Sequence, residues 1–215
     1  MIHASRLPAL FLAAPLAVFL ILQSGSAAVD KHAEQTGRAG VAVSYRKEHG
    51  VDYVTGQIHI GYSADRVWPI LANPYEFEEN ISPRFKTVAV LSDSPERSLL
   101  RCRVELGFFF PAIKYTVESH YSQGRHITFQ SIGGDLKSFR GYWDVTPSAD
   151  GRECDVTYSL HVVPGIPVPQ WIVRQGIKVE LPHTLIGLRD RIDQIYAKHE
   201  HPASRSLAAA GKIYF

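Results

Sequence analysis

The chain has 215 residues, 45% of them hydrophobic and 20% charged, with a formal net charge of +2. Such a length and balance suit one soluble globular domain with extensions. The near-neutral charge gives no electrostatic reason for a nucleic-acid or anionic-membrane partner, no basic run exceeds a pair, and no internal repeat is present.

Residues 1–28 stand apart. A lone Arg6 precedes an uncharged apolar run over 7–22, and small residues follow, with Ser26 and Ala28 placed for cleavage after Ala28. This pattern predicts a secretory signal peptide. The alternative is an uncleaved anchor, but the run is shorter than the ~20 residues of a usual span and carries Pro8 and Pro15. No cysteine follows it, which argues against a lipoprotein. The mature chain is therefore expected to be secreted, or periplasmic in a Gram-negative cell.

Residues 29–40 are polar and read as a linker to a domain over 41–198. Two alternating runs within 41–60 flank His49-Gly50 and predict a hairpin. From residue 61 the period changes. Ser63 is a fitting N-cap, and Val67, Ile70 and Leu71 fall on one face of a short helix. Asn73-Pro74 stops that helix, a second covers about 75–79, and Ser82-Pro83 ends it. Six alternating runs follow between 86 and 163, separated by short turn-rich breaks, as in an antiparallel meander. Over 171–200, Leu181, Leu185, Leu188, Ile192 and Ile195 form one helical stripe. We extend that stripe backwards through Val179, Gly176 and Ile172, and expect Pro182 to kink the helix. Residues 199–215 have no periodic face and read as a flexible tail. The sum is an α+β layout with a twisted sheet curling around one long helix.

Alternation along the meander separates two faces. Leu100, Cys102, Val104, Leu106 and Phe108, then Ile113, Tyr115, Val117, Ser119 and Tyr121, then Ile127 and Phe129, share the buried side. Phe139, Gly141, Trp143 and Val145, with Cys154, Val156, Tyr158, Leu160 and Val162, complete it; the charged residues fall on the other side. The buried set is rich in aromatics with polar tips, which need partners when enclosed. An internal cavity would supply them; a solid core is the plainer alternative. Cys102 and Cys154 have three strands between them, too far for a disulfide, and both read as small buried hydrophobes.

Phe108, Phe109 and Phe110 cannot all enter one core, because neighbours on a strand face opposite ways. In a meander, alternate loops share an end of the sheet. The breaks at Pro111 and at 133–135, the exit through 164–171 and the entry through 80–85 are thus neighbours. Phe109, Phe110, Ile132, Leu136, Ile166, Val168 and Trp171 would then form an apolar rim, the kind of surface that marks a contact.

Ser63, Val67, Trp68, Asn73 and Tyr75 resemble the opening of the START-like, helix-grip (SRPBCC) superfamily, with Asn73 where many members carry aspartate. Gly141, Trp143, Pro147, Tyr158, Pro164, Pro169 and the helix ending LRDRI look like its coenzyme Q-binding and polyketide cyclase branch. The likeness spans about residues 41–198. It implies a helix-grip fold, in which a curved antiparallel sheet wraps a long C-terminal helix and two short helices follow the first strands. It also implies a hydrophobic cavity between that sheet and the C-terminal helix, holding lipids, sterols, quinones or polyketides. The expected ligand-binding residues are Leu106, Phe108, Tyr115, Val117, Phe129, Phe139, Trp143, Tyr158, Ile172 and Gly176.

Catalysis would need an acid or base in the cavity, and the inward positions of the meander hold no Asp, Glu, His or Lys. Glu180 and His183 near Pro182 are the candidates for a cyclase or dehydratase. None of the ten histidines falls in a zinc-like ligand set, and no phosphate loop, dinucleotide fingerprint or G-x-S-x-G occurs. No metal or cofactor is expected. The sequence favours an exported carrier of an apolar ligand, with transient membrane contact through the rim and no nucleic-acid partner. The alternatives are a cyclase-type enzyme and a protein-interaction module with a filled core.

Overall fold

The computed structural model describes residues 35–36, 40–105, 112–122 and 124–200. The proposed signal peptide, the tail beyond residue 200 and the predicted site residues Leu106, Phe108, Phe109 and Phe110 lie outside these. Nine strands build one sheet: β1 (Gln35–Thr36), β2 (Val41–Glu48), β3 (Val51–Ile60), β4 (Phe85–Asp93), β5 (Arg97–Val104), β6 (Ile113–Ser122), β7 (His126–Gly134), β8 (Leu136–Pro147) and β9 (Cys154–Pro164). Their order is β1-β2-β3-β9-β8-β7-β6-β5-β4, and every pairing is antiparallel. The expected hairpin closes at His49 and Gly50, whose φ values of 50° and 79° fit the tight turn that matches strand twist. Gln35 and Thr36, read as linker, instead form β1 and pair with Val43 and Ala42.

Between β3 and β4 lie α1 (Ala64–Leu71), α2 (Pro74–Glu76) and a π-helical turn (Phe77–Ile81). Val67, Ile70 and Leu71 are buried, the face anticipated from their spacing. Ser63 occupies the N-cap position of α1, but its side chain makes no capping bond; its carbonyl accepts from the N–H groups of Arg66 and Val67. Asn73 begins α2, its Oδ1 accepting from the Tyr75 N–H at 3.1 Å. From the π turn, the Glu78 carboxylate accepts the Val88 N–H at 2.6 Å. That contact satisfies a backbone donor of β4, the last strand of the sheet, and so blunts an edge.

One long helix, α3 (Gln170–Glu200), follows β9 and runs through Pro182. Leu181, Leu185, Leu188 and Ile192 are fully buried, and they hold α3 against β2, β3, β9 and the π turn. Glycine permits two close approaches. A Cβ on Gly56 would lie 1.9 Å from Leu181 Cδ2, and one on Gly187 would lie 2.1 Å from the Ile81 carbonyl oxygen. The backward extension of the stripe is corrected here. Ile172, Gly176 and Val179 are exposed, while Ile177 is partly buried against the core. Stepping back four residues from Leu181 reaches Ile177, so the extension at 176 and 179 lies on the neighbouring face.

The two faces of the meander are as expected: Leu100, Cys102, Tyr115, Val117, Ile127, Phe129, Trp143, Val145, Val156 and Tyr158 are all buried. Bulges modify the ends. Between β6 and β7 the register jumps from Thr116↔Gly133 to Val117↔Ser131, leaving Ile132 unpaired, and Ile132 is exposed. Between β8 and β9 it jumps from Leu136↔Pro164 to Ser138↔Val163. The extra residue alters the alternation, and Leu136 packs on the core. On the other face, Thr55 and Ser159 are buried and bond to each other at 2.8 Å.

Candidate functional site

A cavity of about 90 Å³ lies inside the curve of the sheet. One wall comes from the strands: Phe85, Val88, Leu100, Cys102, Tyr115, Val117, Ser119, Tyr121, Ile127, Phe129, Phe139, Trp143 and Tyr158. The other is Leu71, Ala72, Pro74 and Phe77, from the end of α1 into the π turn. Six of the ten predicted ligand-binding residues thus meet here: Tyr115, Val117, Phe129, Phe139, Trp143 and Tyr158. Ile172 and Gly176 do not, because they lie on the exposed side of α3. Sequence reasoning placed Leu100, Cys102, Ser119, Tyr121 and Ile127 on the inward face without assigning them to the site. It missed the α1–α2 wall, where Pro74 and Phe77 read only as helix punctuation and filler.

The aromatic lining is interlocked. Trp143 and Tyr158, facing each other across β8 and β9, stack with ring centroids 3.6 Å apart and planes 8° from parallel. Phe139 contacts Tyr115 at 4.9 Å and Phe129 at 5.1 Å. Phe129 Cζ crosses over Gly141, where an added Cβ would meet it at 2.6 Å and the Ser159 carbonyl oxygen at 1.9 Å. Phe77 reaches in from the π turn to Phe85 and Trp143, at 6.0 and 5.9 Å.

Polar groups are few and uncharged. The Tyr115 hydroxyl donates to the Cys102 thiol on the facing residue of β5. Burial pushes the Cys102 thiol up to about 12 and holds the Tyr115 and Tyr158 phenols well above their ordinary value. Tyr121 bonds to Ser98 at 2.7 Å, and burial raises its phenol too. At neutral pH every titratable group lining the cavity is therefore protonated. None is a base, and the thiol is inert as a nucleophile. Glu180 and His183 do not line the cavity. Glu180 pairs with Arg84 at 3.1 Å, and His183 stands 4.0 Å from Glu180 with its side chain 57% exposed.

Of the segments expected to share one end of the sheet, the described starts and ends near residues 114, 135 and 165 meet through Asp135, while the break at 106–111 lies outside the described residues. Its N–H donates to the Lys114 carbonyl at 2.8 Å, its carbonyl accepts from the Gly165 N–H at 2.9 Å, and its carboxylate accepts the Lys114 N–H at 2.8 Å. Glu105 N–H donates to the Arg84 carbonyl at 2.9 Å, bringing in the entry segment. Of the predicted rim, Ile132, Ile166 and Trp171 are exposed at 54%, 55% and 63%, and Leu136 and Val168 are half-buried. None of these five lines the cavity. A wider hollow of about 610 Å³, walled by Gly61, Tyr62, Ser63, Arg66, Gly151, Arg152 and Asp193, is open and charged, so it does not suit an apolar ligand.

Sheet, gripped helix and aromatic-lined cavity define a START-like, helix-grip protein. The chain belongs to the family described as polyketide cyclase/dehydrase and lipid transport, which matches residues 60–189. Its fold is similar to that of a STAR-related lipid transfer protein from Xanthomonas axonopodis (TM-score 0.61, 19% identity, covering 73% of this chain and 95% of that one). It is similar too to human STARD10 (0.62, 12%, 77% and 74%) and to the Zhui aromatase/cyclase from Streptomyces sp. R1128 (0.55, 13%, 71% and 97%). No curated protein sequence matches the chain.

Proposed function

We propose that this chain is an exported protein that binds or carries a hydrophobic molecule of the lipid, quinone, sterol or terpenoid kind. The observation that carries the reading is an aromatic-lined cavity with no charged side chain among the described residues of its wall, in a family described by lipid transport. The leader over 1–28 supports export, where a carrier would shield an apolar cargo from water. The exposed Ile132, Ile166 and Trp171 support an apolar rim through which cargo passes, with transient contact at a membrane surface. No helix among the described residues is long and apolar enough to cross a membrane.

Acid–base catalysis of cyclisation or dehydration finds little support, since the cavity supplies protonated thiol and phenols only. One observation favours an interaction module with a filled core. A cavity of about 90 Å³ has the volume of roughly three liquid waters, against ~300–1,000 Å³ for usual ligand pockets. On the carrier reading this is a closed state that opens around its cargo.

Stopped-flow uptake of an environment-sensitive apolar dye separates the readings. The mature chain should take up the dye, and replacing Phe109 and Phe110 with serine should slow uptake several-fold without lowering the melting temperature. Unchanged uptake in that variant rejects the rim, and no uptake by the unaltered chain rejects the carrier.

A further inference from the structure

Among the described residues, two hydroxyls in the cavity have no hydrogen-bond partner. Tyr158 and Ser119 are 9% and 7% exposed, and both line the cavity. Neither hydroxyl makes a hydrogen bond among the described residues, in contrast to Tyr121, which bonds to Ser98, and Tyr115, which bonds to Cys102. No fully enclosed side-chain oxygen or nitrogen among the described residues lacks a partner. The free sides of these two hydroxyls therefore open onto the cavity itself. A ligand atom that bonds to these hydroxyls gains a hydrogen bond within a largely apolar wall.

The character of that atom follows from its surroundings. No cation lines the cavity, so an ionised carboxylate or phosphate placed there would be buried without a counter-charge, which is strongly unfavourable. A neutral acceptor meets the opposite situation. The Tyr158 phenol keeps its proton and can donate it, and its ring is held in place by the stack on Trp143. Ser119 lies four residues along β6 from Tyr115, about 13 Å away at strand rise, and supplies a second free hydroxyl deeper along the same wall.

We infer that the cavity selects an uncharged apolar molecule with a ring-sized head group, whose carbonyl-type oxygen accepts a hydrogen bond from the Tyr158 hydroxyl, and that it rejects anionic lipids. The inference rests on the ligand-binding reading above and narrows its ligand class.

The test uses three molecules of similar size, acetophenone, ethylbenzene and benzoate, titrated by calorimetry or ligand-observed NMR into the full mature chain at pH 7. Acetophenone should bind about three- to tenfold more tightly than ethylbenzene, the effect of one net hydrogen bond. Benzoate should bind at least roughly tenfold more weakly than acetophenone. Tyr158→Phe, which keeps the ring on Trp143, should bring the acetophenone-to-ethylbenzene ratio close to one. Benzoate binding as tightly as acetophenone overturns the inference, as does a ketone preference that survives Tyr158→Phe. If Tyr158→Phe does not fold, the ranking by the unaltered chain decides. Ethylbenzene binding with no ketone preference overturns the ligand class and leaves the carrier intact, whereas no binding of any of the three overturns both.

Discussion

Cys102 and Tyr115 face each other across β5 and β6, and their enclosure has a chemical consequence. The folded chain holds the Cys102 proton up to about 12, against an ordinary value of 9.0. A group whose proton is held more tightly when folded contributes stability in full below its unfolded pKa, and loses it as pH rises toward the folded one. The unfolding free energy from urea titrations should therefore fall above pH 9, by roughly 1 kcal/mol per pH unit for this thiol. Both cysteines are free and buried, so iodoacetamide at pH 8 should leave the native chain unlabelled and add two groups in denaturant, as read by intact mass. Labelling of Cys102 in the native state would mean that the cavity is open to solvent. Alternation made the inward placement of Cys102, Tyr115, Trp143 and Tyr158 legible, because a sheet with one wet face sorts its side chains by parity. The packing of Leu136 on the core was not legible, since a single bulge changes the parity and no residue type announces it.

At the scale of elements, α3 divides into two halves. From Leu181 onward its stripe is buried against β2, β3, β9 and the π turn, and its first turns expose Trp171, Ile172 and Val179. Leu185 is fully buried, and its truncation leaves a void in the contact between α3 and β3. Leu185→Ala should cost about 2–5 kcal/mol, measured by urea denaturation, and a cost below about 1 kcal/mol would show that α3 does not grip the sheet as described. Hairpin, short helices, meander and long helix were all readable from periodicity and turn residues. The exact face of the first half of α3 was not, because Ile172, Gly176 and Val179 are spaced as a helical stripe and only the packing tells which apolar stripe is inside. The π turn was unreadable for another reason. It depends on tertiary contacts such as Glu78 on Val88 and Arg191 paired with Glu76 at 2.8 Å.

For the whole molecule, α3 and the α1–α2 segment pack on the same face of the sheet and against each other, with the uncharged cavity beside the second. The α1–α2 wall is the part of the cavity that sequence patterns conceal, since a proline and a phenylalanine in a connection carry no period. Opening that wall, or the loop end joined through Asp135, would enlarge the cavity without breaking the grip of α3. The most direct measurement is to express the full chain in its native host, purify it without detergent and analyse both the intact mass and an organic extract by mass spectrometry. The account predicts a chain beginning at Val29 that carries close to one equivalent of an uncharged apolar molecule with a carbonyl-type oxygen. An empty chain, or one carrying an anionic lipid, would contradict it.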